Sequence, residues 1–323
     1  MIVGEIGEHA LIQRIRGRLP AAPEFVIVGI GDDAAVVEPE RNTVEVLTTD
    51  CLVEGVHFDQ TFTGAADIGH KALAVNLSDL AAMGAAPRVA LLSLVLPPSL
   101  PVASVDALVD GMAALAARAR ISIVGGNIAR SPGPLIVDVT VTGSVHRRRV
   151  LTRSGARAGD ELYVTGTLGG AALGLRRLRD DPSSDGTAVD RYRRPEPRLR
   201  FGVMLGRNRV PRACIDLSDG LADGVRQMAE ASSVGAILDA AAVPIESGAT
   251  LADALGGGED YELLFAVSPR MRARLTDVRR RVSDVPVTRV GRLTSDRALL
   301  LSRDGRTEEL PAGFEHFKDA EGP

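Results

Sequence analysis

The chain has 323 residues, a net charge of -4 and 45% hydrophobic residues, which makes it too long for one average domain and able to bury two cores. It has no Trp and three Tyr, which argues against stacking platforms for nucleic acid. Its basic residues are scattered apart from Arg147-Arg148-Arg149 and Arg279-Arg280-Arg281, which read as solvated faces, so no nucleic-acid partner is expected.

There are two lysines, Lys71 and Lys318, and neither lies in a glycine loop. A Walker-A lysine is therefore excluded, and any bound phosphate must be held by arginine, backbone amides or a metal. Cys51 and Cys214 provide neither a disulfide framework nor a zinc quartet, which fits a reducing compartment. The opening Met-Ile-Val-Gly-Glu lacks a charged region followed by an apolar core. No apolar run approaches the roughly eighteen residues of a membrane span. A cytoplasmic protein with no membrane partner is expected.

In chain order, residues 6–18 read as a helix, with Ile6, Leu11, Ile12 and Ile15 at helical spacing ahead of Pro20. Two short β-like runs follow, Phe25 to Ile30 and Val44 to Leu47, joined by a turn at Pro39-Glu40-Arg41-Asn42. Each is expected to break where the text becomes polar, at Gly31-Asp32-Asp33 and at Thr48-Thr49-Asp50. Strand ends can present polar groups to a ligand.

Asp67 is the candidate cap of a helix reaching about Met83, with Leu73, Leu77 and Leu80 on one stripe and Asn76, Asp79 and Met83 on another face. Gly84 closes it. A strand over Val89–Leu96, a helix over about Val105–Arg118 and a strand Ile121–Val124 come next, the last expected to end at Gly125-Gly126-Asn127. Leu135 to Val145 alternates as a half-exposed strand does. The first half reads β-β-α-β-α-β-β, mixed rather than doubly wound.

A boundary is expected in the Arg-, Ser- and Gly-rich stretch from Arg147 to Gly159, giving domains at 1–148 and 149–323. The second half opens with a strand at Glu161–Thr165. Gly166-Thr-Leu-Gly169-Gly170 then starts a helix, and either offers amides to phosphate or lets the helix pack closely. Asp180 to Pro197 reads as an irregular excursion. Helix text at Leu199–Leu205 and strand text at Ala213–Asp216 follow, with Asp219 as candidate cap of the helix carrying Val225 and Met228. Further strands are expected at Val234–Leu238, Tyr261–Val267, Pro286–Val290 and Ala298–Leu301, with a helix opened by Pro269.

Asp32, Asp33, Asp50, Asp79, Asp216 and Asp219 all stand in apolar or glycine-rich text without an adjacent Lys or Arg. Singly, each is a turn, a cap or a helix-face charge; collectively they require something positive. Like charges a few Å apart repel by roughly 4 kcal/mol at an effective dielectric near 20. Hard oxygen donors of the Asp, Thr and Asn type fit Mg²⁺ bridging to phosphate. Zinc would want more His and Cys. Arg130 and Arg153 are candidate phosphate partners, although as arginines they are equally read as surface residues.

Several blocks, in order, resemble the thiamine-monophosphate kinase family. They are Gly31-Asp-Asp-Ala-Ala-Val, Thr49-Asp-Cys-Leu-Val-Glu-Gly-Val-His-Phe, Ala74-Val-Asn-Leu-Ser-Asp-Leu-Ala-Ala-Met-Gly, Gly125-Gly-Asn, Leu151-Thr-Arg-Ser-Gly-Ala, Ile215-Asp-Leu-Ser-Asp-Gly-Leu and Gly257-Gly-Glu-Asp-Tyr-Glu-Leu-Leu-Phe. The resemblance implies an α/β protein of α+β type, with two lobes of PurM-like architecture, mixed sheets with helices packed on them, and a homodimer formed through the N-terminal lobe. It implies ATP-dependent phosphorylation of thiamine monophosphate to thiamine diphosphate by direct transfer, without a covalent protein nucleophile. By motif matching, Asp32, Thr48, Thr49, Asp50, Asp79, Asn127, Asp216 and Asp219 would hold several Mg²⁺ ions. Gly126, Asn127, Arg153 and Ser218 would lie at ATP, and His57, Glu259 and Phe314 at thiamine monophosphate. Asn127 stands where some members have aspartate, and Phe314 where some have a larger aromatic. The related hydrogenase-maturation and selenophosphate enzymes would need a reactive C-terminal cysteine or an N-terminal Cys and Lys, which this sequence lacks.

Overall fold

The apolar alternation at 136–145 becomes an inner strand of a four-stranded sheet in the computed structural model, which describes residues 1–312. The chain divides between Val150 and Leu151 into two compact units. The first carries α1 (Val3–Ile6), α2 (Glu8–Arg16), β1 (Val26–Val28), β2 (Val36–Val37), β3 (Val44–Val53), α3 (Ala65–Ala82), β4 (Ala86–Leu96), α4 (Val102–Ala119), β5 (Ser122–Arg130) and β6 (Ile136–Val145). The sheet order is β3-β6-β4-β5, antiparallel except for the parallel pair β4/β5.

One face of this sheet is the core. Val137, Val139 and Val141 of β6 are fully buried, as are Leu73, Leu77 and Leu80 of α3 and Val109 and Met112 of α4. The two helices pack unusually closely because each puts a glycine at the crossing. A Cβ on Gly69 would lie 1.9 Å from the Leu108 carbonyl oxygen, and one on Gly111 would lie 2.0 Å from that of Ala66. The opposite face, with Leu47, Thr49, Cys51, Leu91, Asp138 and Thr140, follows from the strand register and is left more open.

The second unit carries β7 (Glu161–Thr165), α5 (Gly170–Asp180), α6 (Thr187–Arg193), α7 (Leu199–Asn208), β8 (Ala213–Asp216), α8 (Leu221–Ser232), β9 (Gly235–Asp239), α9 (Leu251–Gly256), β10 (Leu263–Val267), α10 (Arg272–Arg281), β11 (Val287–Thr294), β12 (Leu299–Arg303) and β13 (Arg306–Glu309). Among the described residues its sheet runs β13-β12-β9-β11-β7-β10-β8, parallel only at β12/β9. β7 and β10 are buried at every position. On one side Leu162, Val164 and Leu264 join Val225 and Met228 of α8 in a core. On the other, Tyr163 stacks on Phe265 at 5.8 Å and Phe201 of α7 tilts onto the same ring.

The structure corrects several expectations. β3 does not break at Thr48, because antiparallel pairing with β6 continues through Val53. β5 likewise runs through Gly125-Gly126-Asn127 to Arg130, held by parallel pairing with β4. Its Gly126 is there for close approach, since a Cβ would meet the Leu92 carbonyl oxygen at 1.8 Å. Asp67 lies inside the first turn of α3 rather than at its cap, which is Gly64; an acid there still faces the positive helix end favourably. Gly220, not Asp219, caps α8. The 180–197 stretch contains α6, and α9 and β13 were not foreseen. Gly84 follows α3 with φ +68, as a closing glycine does.

Candidate active site

In the first unit the alternation of β3 sorts the Thr48-Thr49-Asp50 run between two faces. Thr48 and Asp50 are half-buried on the side of α3, where the Thr48 hydroxyl donates to Asp79 Oδ2. Asp79 is the partly exposed member of an otherwise buried segment of α3. Burial first, and then the Asp79 and Asp138 carboxylates, push the Asp50 carboxyl up to about 6. Such a group is stabilised when a cation replaces its proton. Thr49 points to the other face, where its hydroxyl donates to Asp138 Oδ1 at 3.2 Å and shares a 3.0 Å bond with Thr140. Asp138 was not foreseen; its place opposite Cys51 in the register could be found only once the β3/β6 pairing was known.

Asp32 lies in the exposed turn between β1 and β2 and accepts the Asp33 amide at 2.8 Å. Asn127 is exposed on β5, paired with Ser93 of β4. His57 ends a wound turn that follows β3. Gly55 takes φ +82, its amide donates to the Phe58 carbonyl at 2.8 Å, and Phe58 is buried. The Glu54 carboxylate accepts from Leu135 N–H at 2.9 Å and from Gln60 at 2.6 Å, tying the turn to the start of β6.

In the second unit Asp216 ends β8 and is almost fully buried. The Ser218 hydroxyl donates to Asp219 Oδ2 at 2.7 Å. The segment 257–262 is pinned directly to this loop. Glu259 N–H donates to the Ser218 carbonyl at 2.6 Å, Tyr261 N–H to Leu217 O at 2.9 Å, and Leu217 N–H to Glu262 O at 2.8 Å. β10 therefore starts at Leu263 rather than Tyr261, because Glu259 and Tyr261 both take left-handed backbone, φ 58 and φ 50.

Two buried acids anchor this segment. Asp260 accepts the amides of Gly169 at 2.6 Å and Ala171 at 3.2 Å. Those amides, one alternative for a phosphate cradle in the sequence, are thus occupied by a carboxylate, and the close-packing alternative stands. Burial pushes Asp260 up to about 6, against the lowering effect of the two amides. Glu262 is 1% exposed and is bridged bidentately by Arg198, with Thr165 donating at 2.6 Å and Arg191 reaching it at 3.4 Å. Arg153 Nη1 donates to Gln227 at 2.6 Å, and Gln227 donates to Asp223. Burial raises the Asp223 carboxyl, with Asp219 adding to the rise. Gln227 and Asp223 were also missed, although their i, i+4 spacing on α8 could have paired them. Phe314 lies outside the described residues.

Donor chemistry in both units is oxygen-only and acidic. Among the described residues no trio of His, Cys, Asp or Glu side chains converges closely enough to enclose a metal alone. Oxygen donors of this kind are those Mg²⁺ takes, alongside waters and phosphate oxygens.

Residues 31–145 match the N-terminal domain of AIR synthase related proteins, and residues 157–301 match the C-terminal domain. This two-domain class defines the fold. Thiamine-monophosphate kinase of Escherichia coli K12 is 39% identical over 327 residues, covering 96% of this chain and 98% of its own. A crystal structure of thiamine-monophosphate kinase from Stenotrophomonas maltophilia matches with TM-score 0.82 and 38% identity, covering 93% of this chain and 96% of its own. AaThiL complexed with AMPPCP and TMP matches with TM-score 0.76 and 31% identity, covering 98% and 99%. The chain belongs to the thiamine-monophosphate kinase family.

Proposed function

We propose that this chain transfers the γ-phosphoryl group of ATP to the phosphate of thiamine monophosphate, giving thiamine diphosphate and ADP, in the presence of Mg²⁺. The attacking phosphate oxygen is already anionic at neutral pH, so no protein nucleophile or general base is required. What remains for the protein is to align two polyanions and cancel their repulsion. The observation that carries this reading is the Thr48–Asp79–Asp50 cluster, in which burial and then the Asp79 carboxylate raise the proton affinity of Asp50, in a chain of this family.

Asp32, Thr48, Thr49, Asp50, Asp79, Asn127, Asp216 and Asp219 are the groups read as Mg²⁺ ligands, with Asn127 contributing a neutral carbonyl. When bound, Mg²⁺ neutralises charge on the transferring phosphates. Gly126, Asn127, Arg153 and Ser218 are read as ATP contacts, and His57, Glu259 and Phe314 as thiamine-monophosphate contacts. The relative bound to AMPPCP and TMP supports both ligand classes. A homodimer is supported by Leu47 and Leu91, 68% and 42% exposed on the open face of the first unit's sheet. No helix among the described residues is long and apolar enough to cross a membrane, and the two cysteines are unpaired, which supports a cytoplasmic setting.

The test is Mg²⁺-dependent formation of thiamine diphosphate by the purified protein, with Asp50→Asn and Asp219→Asn beside it. Both variants should lose at least roughly tenfold in turnover at saturating ATP and need more Mg²⁺, one lost charge interaction of about 1.4 kcal/mol being tenfold. Wild-type rates and Mg²⁺ requirement in both would overturn the metal assignment.

A further inference from the structure

Of the 38 basic residues, two are lysines, and the one among the described residues, Lys71, is completely buried. Everywhere else among the described residues the chain uses arginine, a larger, forked cation. A buried ammonium is expensive to desolvate, so its placement requires an explanation that a surface arginine does not. Lys71 Nζ donates to the backbone carbonyl of His57 at 3.0 Å. The bond runs from the interior of α3 to the end of the turn following β3, fourteen residues earlier in the chain.

His57 is fixed at three further points. Its N–H donates to the Val53 carbonyl at 2.9 Å, and its ring Nδ1 accepts from Val53 N–H at 3.1 Å. Its neighbour Phe58 is plugged into the core. An imidazole whose Nδ1 accepts a backbone amide carries its proton on Nε2 when neutral. Such a ring offers a donor, which suits a phosphate or hydroxyl oxygen. α3 also carries Asp79, eight residues beyond Lys71, or about 12 Å along the axis at 1.5 Å per residue. One rigid, buried helix thus sets both the turn bearing His57 and the carboxylate bonded to Thr48.

We propose that Lys71 is a positioning residue for thiamine monophosphate: its buried ammonium fixes the His57 backbone so that the imidazole offers Nε2–H to the ligand. This rests on the reading of His57 as a thiamine-monophosphate contact. Lys71→Met keeps the length and buried apolar stem but removes the donor. Steady-state kinetics of the full chain with ATP and thiamine monophosphate should show KM for thiamine monophosphate rising roughly tenfold, since small misplacements of a positioned group are costly. KM for ATP should change less than about twofold, a split that general loosening of the fold would not give.

His57→Ala and the double variant complete the cycle. If Lys71 acts through His57, the double variant is no worse than His57→Ala alone. An additive double variant, or a Lys71→Met protein with unchanged KM for thiamine monophosphate, overturns the inference while His57 keeps its role. An unaffected His57→Ala enzyme overturns the contact reading and the inference with it. Should Lys71→Met fail to fold, Lys71→Gln, uncharged and one atom shorter, decides by the same split: a raised KM for thiamine monophosphate beside an unchanged KM for ATP supports the inference, and wild-type values of both overturn it.

Discussion

Asp260→Asn should change how stability depends on pH, in a direction that the structure fixes. Asp260 is 7% exposed and sits on the amides of Gly169 and Ala171. Burial raises its carboxyl from an ordinary 3.8 to about 6. Between those values the folded chain holds a proton that the unfolded chain has released, so stability falls as pH rises through the window. The group's contribution is fully present below the unfolded value and lost above the folded one. A rise of this size corresponds to about 3 kcal/mol in all. The part gained between pH 7 and pH 5 is about 1 kcal/mol, because the proton difference is nearly complete over only the lower half of that interval. Asparagine does not titrate and lacks this contribution. Tyr163, Tyr192 and Tyr261 all belong to the second unit and the chain has no Trp, so tyrosine fluorescence reports that unit in urea unfolding. Wild type should gain about 1 kcal/mol more than Asp260→Asn on going from pH 7 to pH 5. Equal pH responses in the two proteins would show that Asp260 is charged in the fold and that its two amides outweigh burial.

Gly69→Ala should destabilise the first unit by at least about 2 kcal/mol, since the new methyl meets the Leu108 backbone rather than a movable side chain. A circular-dichroism melt matching wild type would refute the close helix crossing. Arg198→Met should cost about 3–5 kcal/mol by stripping Glu262 of its bidentate partner. Adding Glu262→Gln should restore part of that loss in the same tyrosine-monitored unfolding, and no recovery would show that the pair is not what holds the segment.

Apolar periodicity made most of the fold legible: the leucine stripe of α3, the alternation of β6 and the Leu162–Val164 centre of the fully buried β7 all read correctly because local pattern and tertiary burial agree there. It failed where pairing overrides local text. Thr48-Thr49-Asp50 and Gly125-Gly126-Asn127 look like chain breaks, but a partner strand supplies hydrogen bonds along each. The acidic residues at the site were visible as unexplained charges in apolar text. Asp138 was not, because only the register places it beside Thr49. Asp219 looked like a cap since it stands just before α8, but the cap position is the next residue, Gly220, and the Asp219 carboxylate accepts from Ser218 instead. α6 hid in arginine-rich text because what fixes it is remote: Arg191 bonds Thr167 and approaches Glu262.

The 259–262 segment shows how side-chain need can be separated from backbone need. Glycine fits φ 58 and φ 50 without penalty, whereas Glu259 and Tyr261 hold those angles at a cost of order 1–3 kcal/mol each. Where the backbone alone mattered, as at Gly258 with φ +68 and the Ser218 carbonyl 2.7 Å from a Cβ position, the chain does use glycine. The strained residues are held by their amides on Ser218 O and Leu217 O, and by Asp260 and Glu262 interleaved with them. Those two acids face inward to α5 and to Arg198, so they anchor. Glu259 is held by its amide on Ser218 O at a position whose backbone favours glycine. The amide bond to Ser218 makes Glu259 and the Ser218–Asp219 loop one hydrogen-bonded piece, so a change in either part of it is transmitted to the other.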